Sequence, residues 1–254
     1  MGTPAVHFFA MHRVLILLLA VSLLVQCAPT SGSLYMPAEF CYVDEVAPGV
    51  RADLKYAGHD NFVGRPISGY EGQRPLLRRD AAQALARAAE ALRRRGYGLL
   101  VWDAYRPSRA LLDFRAWSRT ADDHTKAEFY PRITKQEIYD GRYIGDTSEH
   151  TWGIAVDLTL VHLPSGTPVD MGGRHDLLDT SSATYSQEVT PEQQAHRRLL
   201  HDAMLAAGFE NYTKEWWHYR LANSKPWRVY NFPVRDDLQR LPAPSPGRQG
   251  SSAP

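Results

Sequence analysis

The side chains able to do chemistry concentrate in two short stretches. Ser148–Asp157 carries His150 and Asp157, and Glu215-Trp-Trp-His218 carries a carboxylate and an imidazole three positions apart. Two imidazoles and one carboxylate would hold a tetrahedral zinc with one position left for water, the arrangement of catalytic rather than structural sites. Glu215 would then be free to act as a base. Two cysteines in 254 residues supply neither a Cys-rich zinc site nor a multi-bridge disulfide framework, so any metal must be held by His and carboxylate. A third stretch, Trp102–Pro107, places Arg106 where a strand end runs into a helix start. Its fork of donors could polarise a carbonyl or hold oxyanion charge, or could serve only a structural salt bridge.

The elements that must position these groups read as mixed α and β. Gly98–Asp103 is an apolar run ending at a carboxylate, a buried strand. Ile154–Leu160 alternates, with Ile154, Val156, Leu158 and Leu160 on one face and Ala155, Asp157 and Thr159 on the other; a carboxylate buried on that second face needs a partner. His150 falls on the preceding loop, and Gly153 permits a tight turn into the strand. Asp80–Arg95 reads as a helix closed by Gly96, Pro107–Trp117 as a helix with Pro in its first turn, and Pro191–Ala207 as a helix closed by Gly208. Lys214–Leu221 is an aromatic-rich strand candidate. In a regular strand Glu215 and His218 would point to opposite faces. Both reach one site only if Glu215 lies on the preceding turn or a bulge intervenes, and such an irregularity is predicted.

Other polar and aromatic residues take plainer readings. Arg93, Arg94 and Arg95 suit a solvated helix end. His196 and His201 are surface residues, Trp216 and Trp217 core and pocket wall, and Asp103 orients a neighbour. His162 and His175 lack a partner at a diagnostic spacing, although His175 adjoins Asp176.

With 29 Lys plus Arg against 28 Asp plus Glu, no global field gathers nucleic acid or an anionic membrane, so specificity must be local. At the N-terminus, His12-Arg13 precede the uncharged run Val14–Val25, too short for the ~20 residues of a membrane-spanning helix and suited to a signal-peptide core. Leu24-Val25-Gln26-Cys27 resembles a lipobox. Either Cys27 is lipidated, leaving Cys41 alone, or a Cys27–Cys41 bridge is conceivable. The expected organisation is a signal peptide over 1–27, a linker over 28–38, one catalytic domain over 39–235 and a disordered Pro/Ser/Gly-containing tail over 236–254. The expected location is extracytoplasmic, in the periplasm, with the membrane reached only through a lipid on Cys27.

Five ordered segments, Leu54–Gly64, Val101–Ala110, Ser148–Leu160, Met171–Asp176 and Ala207–Tyr219, resemble the VanX-type D-alanyl-D-alanine dipeptidases. These belong to a zinc peptidase group that also includes D,D-carboxypeptidases and the hedgehog fold. The resemblance runs from about Phe40 to about Val234. It implies a single α+β domain with a mainly antiparallel sheet and flanking helices. It implies one zinc per chain on His150, Asp157 and His218, with Glu215 as catalytic base and Arg106 as the transition-state cation. Tyr56, Ser148 and Asp176 fall where the family recognises the amino end of a small zwitterionic D,D-dipeptide. Glu149 and Trp152 beside His150, and Gly58-His59 after Tyr56, depart from the best-known members. The implied reaction is hydrolysis of D-alanyl-D-alanine in wall turnover or dipeptide scavenging. The alternatives are a D,D-carboxypeptidase using the same metal set and a non-catalytic, zinc-stabilised binder of peptidoglycan or protein.

Overall fold

The computed structural model describes residues 34–140, 143–225 and 228–241. The signal-peptide and Cys27 expectations fall outside them. In chain order the elements are β1 (Tyr35–Met36), β2 (Phe40–Tyr42), α1 (Val43–Val46), β3 (Arg51–Ala52), β4 (Leu76–Arg78), α2 (Arg79–Arg93), β5 (Tyr97–Asp103), α3 (Ser108–Ser118), α4 (Lys126–Phe129), α5 (Lys135–Asp140), β6 (Ala155–His162), α6 (Pro191–Ala206), β7 (Phe209–Asn211), β8 (His218–Leu221) and β9 (Gln239–Arg240). The central sheet has the order β3-β5-β6-β8-β7. The β3–β5 pair is parallel and the remaining pairs are antiparallel, as an α+β domain with a mainly antiparallel sheet requires.

Local chemistry accounts for the long elements. In α2, Ala81, Leu85, Ala88 and Leu92 recur at helical spacing and are buried, so one apolar stripe faces the core. Glu90 pairs with Arg93 and Arg94 at the exposed end of that helix, as a solvated terminus should. Thr190 starts α6 with a reciprocal cap: its hydroxyl accepts from Gln193 N at 3.2 Å, and Gln193 Oε1 accepts from Thr190 N at 2.9 Å. Pro191 follows as the first helical residue. In β6 both faces are buried from Ala155 to Val161, so the face carrying Asp157 is interior as well.

Three sequence expectations need correction. The linker over 28–38 and the disordered tail over 236–254 are too wide. Met36 and Leu238 are buried, and β1 pairs with β9, with Gln239 N donating to Leu34 O at 2.8 Å and Leu241 N to Met36 O at 3.0 Å. Two-residue strands carry no periodicity, and their partners lie at opposite ends of the chain, so no local signal marks them. The strand expected over Lys214–Leu221 begins only at His218. Residues before it form a turn, pinned where Asn211 Nδ2 donates to Glu215 O at 3.1 Å and to His218 O at 2.9 Å.

Gly153 is required twice over. Its φ is +70°, and a Cβ there would sit 2.3 Å from Phe40 Cε1, a ring held edge-on by Tyr105, Tyr230 and Phe232. The left-handed conformation alone costs a side-chain residue roughly 1–2 kcal/mol, and overpacking a filled core adds about 1–3 kcal/mol. Gly153→Ala is therefore expected to lower the thermal midpoint by several degrees, measured by calorimetry. An unchanged midpoint would show that the turn accommodates a methyl.

Candidate metal and catalytic site

Strand register builds the site. In the β6–β8 ladder Asp157 stands directly opposite His218, so the two side chains share a face. In the β5–β6 ladder the register shifts between Val101 and Asp103, which brings Asp103 opposite Asp157. Such a bulge re-aims side chains next to a site. Asp103, Asp157 and His218 thus form one row across three strands.

His150 arrives from the loop before β6. A short 3-10 turn, Glu149–Trp152, is capped by Ser148, whose Oγ accepts from His150 N at 3.3 Å, and ends at Gly153. His150 Nδ1 donates to Ala104 O at 2.6 Å. That bond fixes the tautomer and leaves the Nε2 lone pair facing inward. Arg106 N donates to His150 O at 3.1 Å, tying this turn to the end of β5.

The three facing atoms form a small triangle. His150 Nε2 lies 3.2 Å from His218 Nδ1 and 3.3 Å from Asp157 Oδ1, and His218 Nδ1 lies 3.0 Å from the same oxygen. A tetrahedron with metal–ligand bonds of about 2.0–2.1 Å has edges of about 3.3–3.4 Å. Two imidazoles and a carboxylate at this separation fit a divalent cation with one ligand position left over. Among the described residues this is the group of ligands that could hold a metal. Burial opposes ionisation of Asp157, but His150, His175 and His218 hold its carboxyl well below the usual range.

Glu215 sits on the turn ahead of β8, not in its ladder, so the predicted irregularity exists. Glu215 N donates to Tyr212 O at 2.8 Å, and Glu215 Oε2 comes within 3.9 Å of His218 Nδ1. The carboxyl is buried, and that burial pushes it up to about 8. Arg106 is held by Asp103, whose Oδ2 accepts from Nε at 3.0 Å and pairs with Nη2 at 2.8 Å. Its Nη2 is also 3.8 Å from Asp157 Oδ2. Burial works against the guanidinium charge, yet Tyr56, Asp103, Tyr70 and Asp157 outweigh it and keep the group cationic.

The amino-end residues line the same space. Tyr56, Arg106, Ser148, His150, Asp157, Asp176, Glu215 and His218, the full set of eight candidates, border one cavity of about 800 Å³. Asp176 is 5% exposed and its Oδ2 has no hydrogen-bond partner among the described residues; burial raises its pKa, opposed chiefly by His175. An unpaired buried carboxylate oxygen on a cavity wall suits a cationic ligand group. Ser148 Oγ already serves the turn cap and can offer a ligand only its remaining capacity.

Sequence reasoning missed two supports. His175 Nε2 lies 3.3 Å from Asp157 Oδ2, so His175 orients a candidate metal ligand. Its ring is wedged among Tyr56, Trp102 and Trp217; its adjacency to Asp176 was the available signal. Tyr70 donates to Asp103 Oδ1 at 2.6 Å, and no spacing in the chain announces that bond. His162 is exposed, and His196 and His201 are partly exposed and apart from the site. Trp216 and Trp217 are core residues.

A family model described as D-ala-D-ala dipeptidase (Peptidase_M15) matches residues 36–236. A D-alanyl-D-alanine dipeptidase of Streptomyces coelicolor is 43% identical over 201 residues, covering 78% of this chain and all of the relative. The Enterococcus faecium D-alanyl-D-alanine dipeptidase is 40% identical over 202 residues, covering 79% of this chain and all of the relative. The Escherichia coli one is 34% identical, covering 69% of this chain and 81% of its own length. Among solved structures, VanYB in complex with D-alanine-D-alanine is similar at 17% identity and a TM-score of 0.35, covering 59% of this chain and 73% of that one.

Proposed function

The chain belongs to the D-ala-D-ala dipeptidase family of peptidases, and from that premise we propose that it hydrolyses free D-alanyl-D-alanine with one zinc ion held by His150, Asp157 and His218. The observation that carries this reading is the single cavity shared by a metal-ligand triangle, a buried carboxyl at Glu215, a guanidinium at Arg106 and a carboxylate at Asp176 with one oxygen lacking a hydrogen-bond partner among the described residues. Zinc, when bound, supplies Lewis-acid polarisation and lowers the pKa of water.

The chain's own residues do the rest. Glu215 takes the proton of the attacking water and carries it to the leaving amine. Arg106 holds the charge that develops on the carbonyl oxygen. Asp176 accepts the substrate ammonium, with Tyr56 and Ser148 as hydrogen-bonding neighbours. A free dipeptide carries charge at both ends, and a carboxylate closing the ammonium end favours it over a longer peptide.

The D,D-carboxypeptidase alternative draws on one feature. The cavity lining also includes Glu210 and Arg220, which hold none of the roles above and lie on the β7–β8 side of the site, so it has wall to spare for a longer chain. Zinc-loaded protein, with and without chelator, should be offered free D-alanyl-D-alanine and an amino-blocked tripeptide ending in the same pair. Chelator-sensitive cleavage of the free dipeptide is expected. Cleavage of the blocked peptide alone overturns the dipeptidase in favour of the carboxypeptidase.

Replacing Asp176 by Asn removes the charge but keeps the shape. A hydrogen bond to a charged group is worth about 1.5–3 kcal/mol, so KM for the dipeptide should rise by about tenfold or more, with kcat changed less. A variant with unaltered KM and unaltered preference for free dipeptide sinks the ammonium pocket.

The apolar run at 14–25 and the lipobox-like Leu24–Cys27 support export and a lipid anchor. Outside the cytoplasm the enzyme would meet dipeptide released from the wall, which favours scavenging over depletion of a cytoplasmic pool. Cell fractionation with radiolabelled palmitate tests both, since Cys27→Ser should lose the label.

A further inference from the structure

Among the described residues Arg197 forms no salt bridge with a carboxylate, and Asp170 acts on it only from a distance. Arg197 lies on α6 and is 1% exposed. Nε donates to Met171 O at 2.7 Å, and Nη1 donates to Ser181 O at 2.9 Å and Ala183 O at 2.8 Å. Among the described residues its bonds go to these carbonyls, and Nη2 has no partner. Burial lowers its pKa to about 10, which the exposed Asp170 only partly opposes. A buried cation without a counter-charge is costly.

A second unpaired donor stands beside it. Trp216, also 1% exposed, has its indole Nε1 unpartnered, and the guanidinium lies 5.7 Å from the Trp216 ring. Gly173 marks the place where the two donors meet. A Cβ built there would lie 3.8 Å from Arg197 Nη2, 4.0 Å from Trp216 Nε1 and 3.5 Å from Leu177 Cδ2. Gly173 and Trp216, though not Arg197, line a second cavity of about 520 Å³, so an approach to this place would be from the Gly173 and Trp216 side. Of the three acids on that lining, Asp53 and Asp60 pair with Lys55, Asp60 also with Arg174, and Asp170 is turned to Gly172 N and Gln193 Nε2.

The geometry points to a small-anion site at Gly173, in which a halide-sized monovalent anion accepts from Arg197 Nη2 and Trp216 Nε1. Guanidinium and indole are donors with no lone pair to give, so an acceptor bearing negative charge satisfies both and neutralises the buried cation. Water would accept the same bonds but leave the charge uncompensated. The site has a consequence for the main cavity. Arg197 already grips Met171 O, and the loop from Met171 leads directly to His175 and Asp176, so an anion bound there stiffens the segment that presents Asp176. This assignment does not rest on the dipeptidase reading, and its test does not use turnover.

Bromide serves as the probe, titrated into the zinc-loaded protein at constant ionic strength against gluconate, with thermal midpoint and anomalous diffraction as readouts. The wild type should gain midpoint with bromide and show an anomalous peak bonded to Arg197 Nη2 and Trp216 Nε1. Gly173→Ala puts a methyl at ordinary contact distance in that space, and should fold yet show neither response. Trp216→Phe keeps a ring but loses one donor to the anion, and should require about tenfold more bromide. A response to formate but not bromide supports the same site with a carboxylate as occupant. An ordinary water at the position, or equal responses from the wild type, Gly173→Ala and Trp216→Phe, overturns the proposal.

Discussion

A Glu215→Gln enzyme is expected to retain its metal and its affinity for dipeptide while kcat falls by at least about 10²-fold, the usual cost of losing a positioned acid/base. Glutamine matches the size of the carboxylate and fits the turn that holds it, where the backbone bonds to Tyr212 O and from Asn211 Nδ2 do not depend on the side chain. What glutamine lacks is a site for a proton. Burial raises the Glu215 carboxyl to about 8, close to the pH at which a base combines adequate strength with an adequate ionised fraction. A cation on the neighbouring triangle lowers that value by favouring the carboxylate. The sign follows: the base must be ionised, so activity rises with pH through the Glu215 pKa, and the acid limb lies below about 8. In Glu215→Gln that limb should vanish along with the rate. Metal content by atomic emission and KM by initial rates separate this result from a collapsed site. Retention of more than a tenth of wild-type kcat with full metal content would falsify the role of Glu215 as base.

Residues whose neighbours lie close in sequence were the legible ones. The closing glycines Gly96 and Gly208 mark the ends of α2 and α6, and the alternation of β6 marks Asp157 as a carboxylate needing partners. His150, Asp157, Glu215 and His218 stood out because their chemistry is packed into two short segments. The spacing of Glu215 and His218 even required a break in the strand, and His218 begins β8 with Glu215 on the turn before it. What escaped notice depends on pairing between distant segments. The bulge in β5 that sets Asp103 against Asp157 is a property of two strands together. The Tyr70–Asp103 bond spans 33 positions and the His175–Asp157 contact 18, and neither has a local pattern. The β1–β9 pair joins the two ends of the domain through strands too short to show a period.

Arg106→Lys should lower kcat by about 10²–10³-fold, the range seen when one donor to a developing oxyanion is removed, while costing little stability. The sequence left Arg106 between a structural salt bridge and a catalytic cation; the salt bridge to Asp103 is formed, and the same residue lines the cavity, which is compatible with both roles. Nε and Nη2 are committed to Asp103, so in the proposed role the oxyanion donor of this cavity-lining residue is Nη1. Only a planar fork can hold Asp103 through two nitrogens and still offer a third in a fixed direction. A lysine keeps the charge that Asp103 needs, so the buried carboxylate is not stranded, but it is a single point donor and cannot serve both ends. Arg106→Ala is the wrong test, because leaving Asp103 buried and unpaired costs about 3–5 kcal/mol and would confound folding with chemistry. Asp103→Asn is the informative companion. It preserves the guanidinium but loosens its anchor, so kcat should fall less than in Arg106→Lys. If Arg106→Lys keeps most of its kcat and loses only thermal midpoint, Arg106 is a structural residue, and the oxyanion charge must be held by the metal alone.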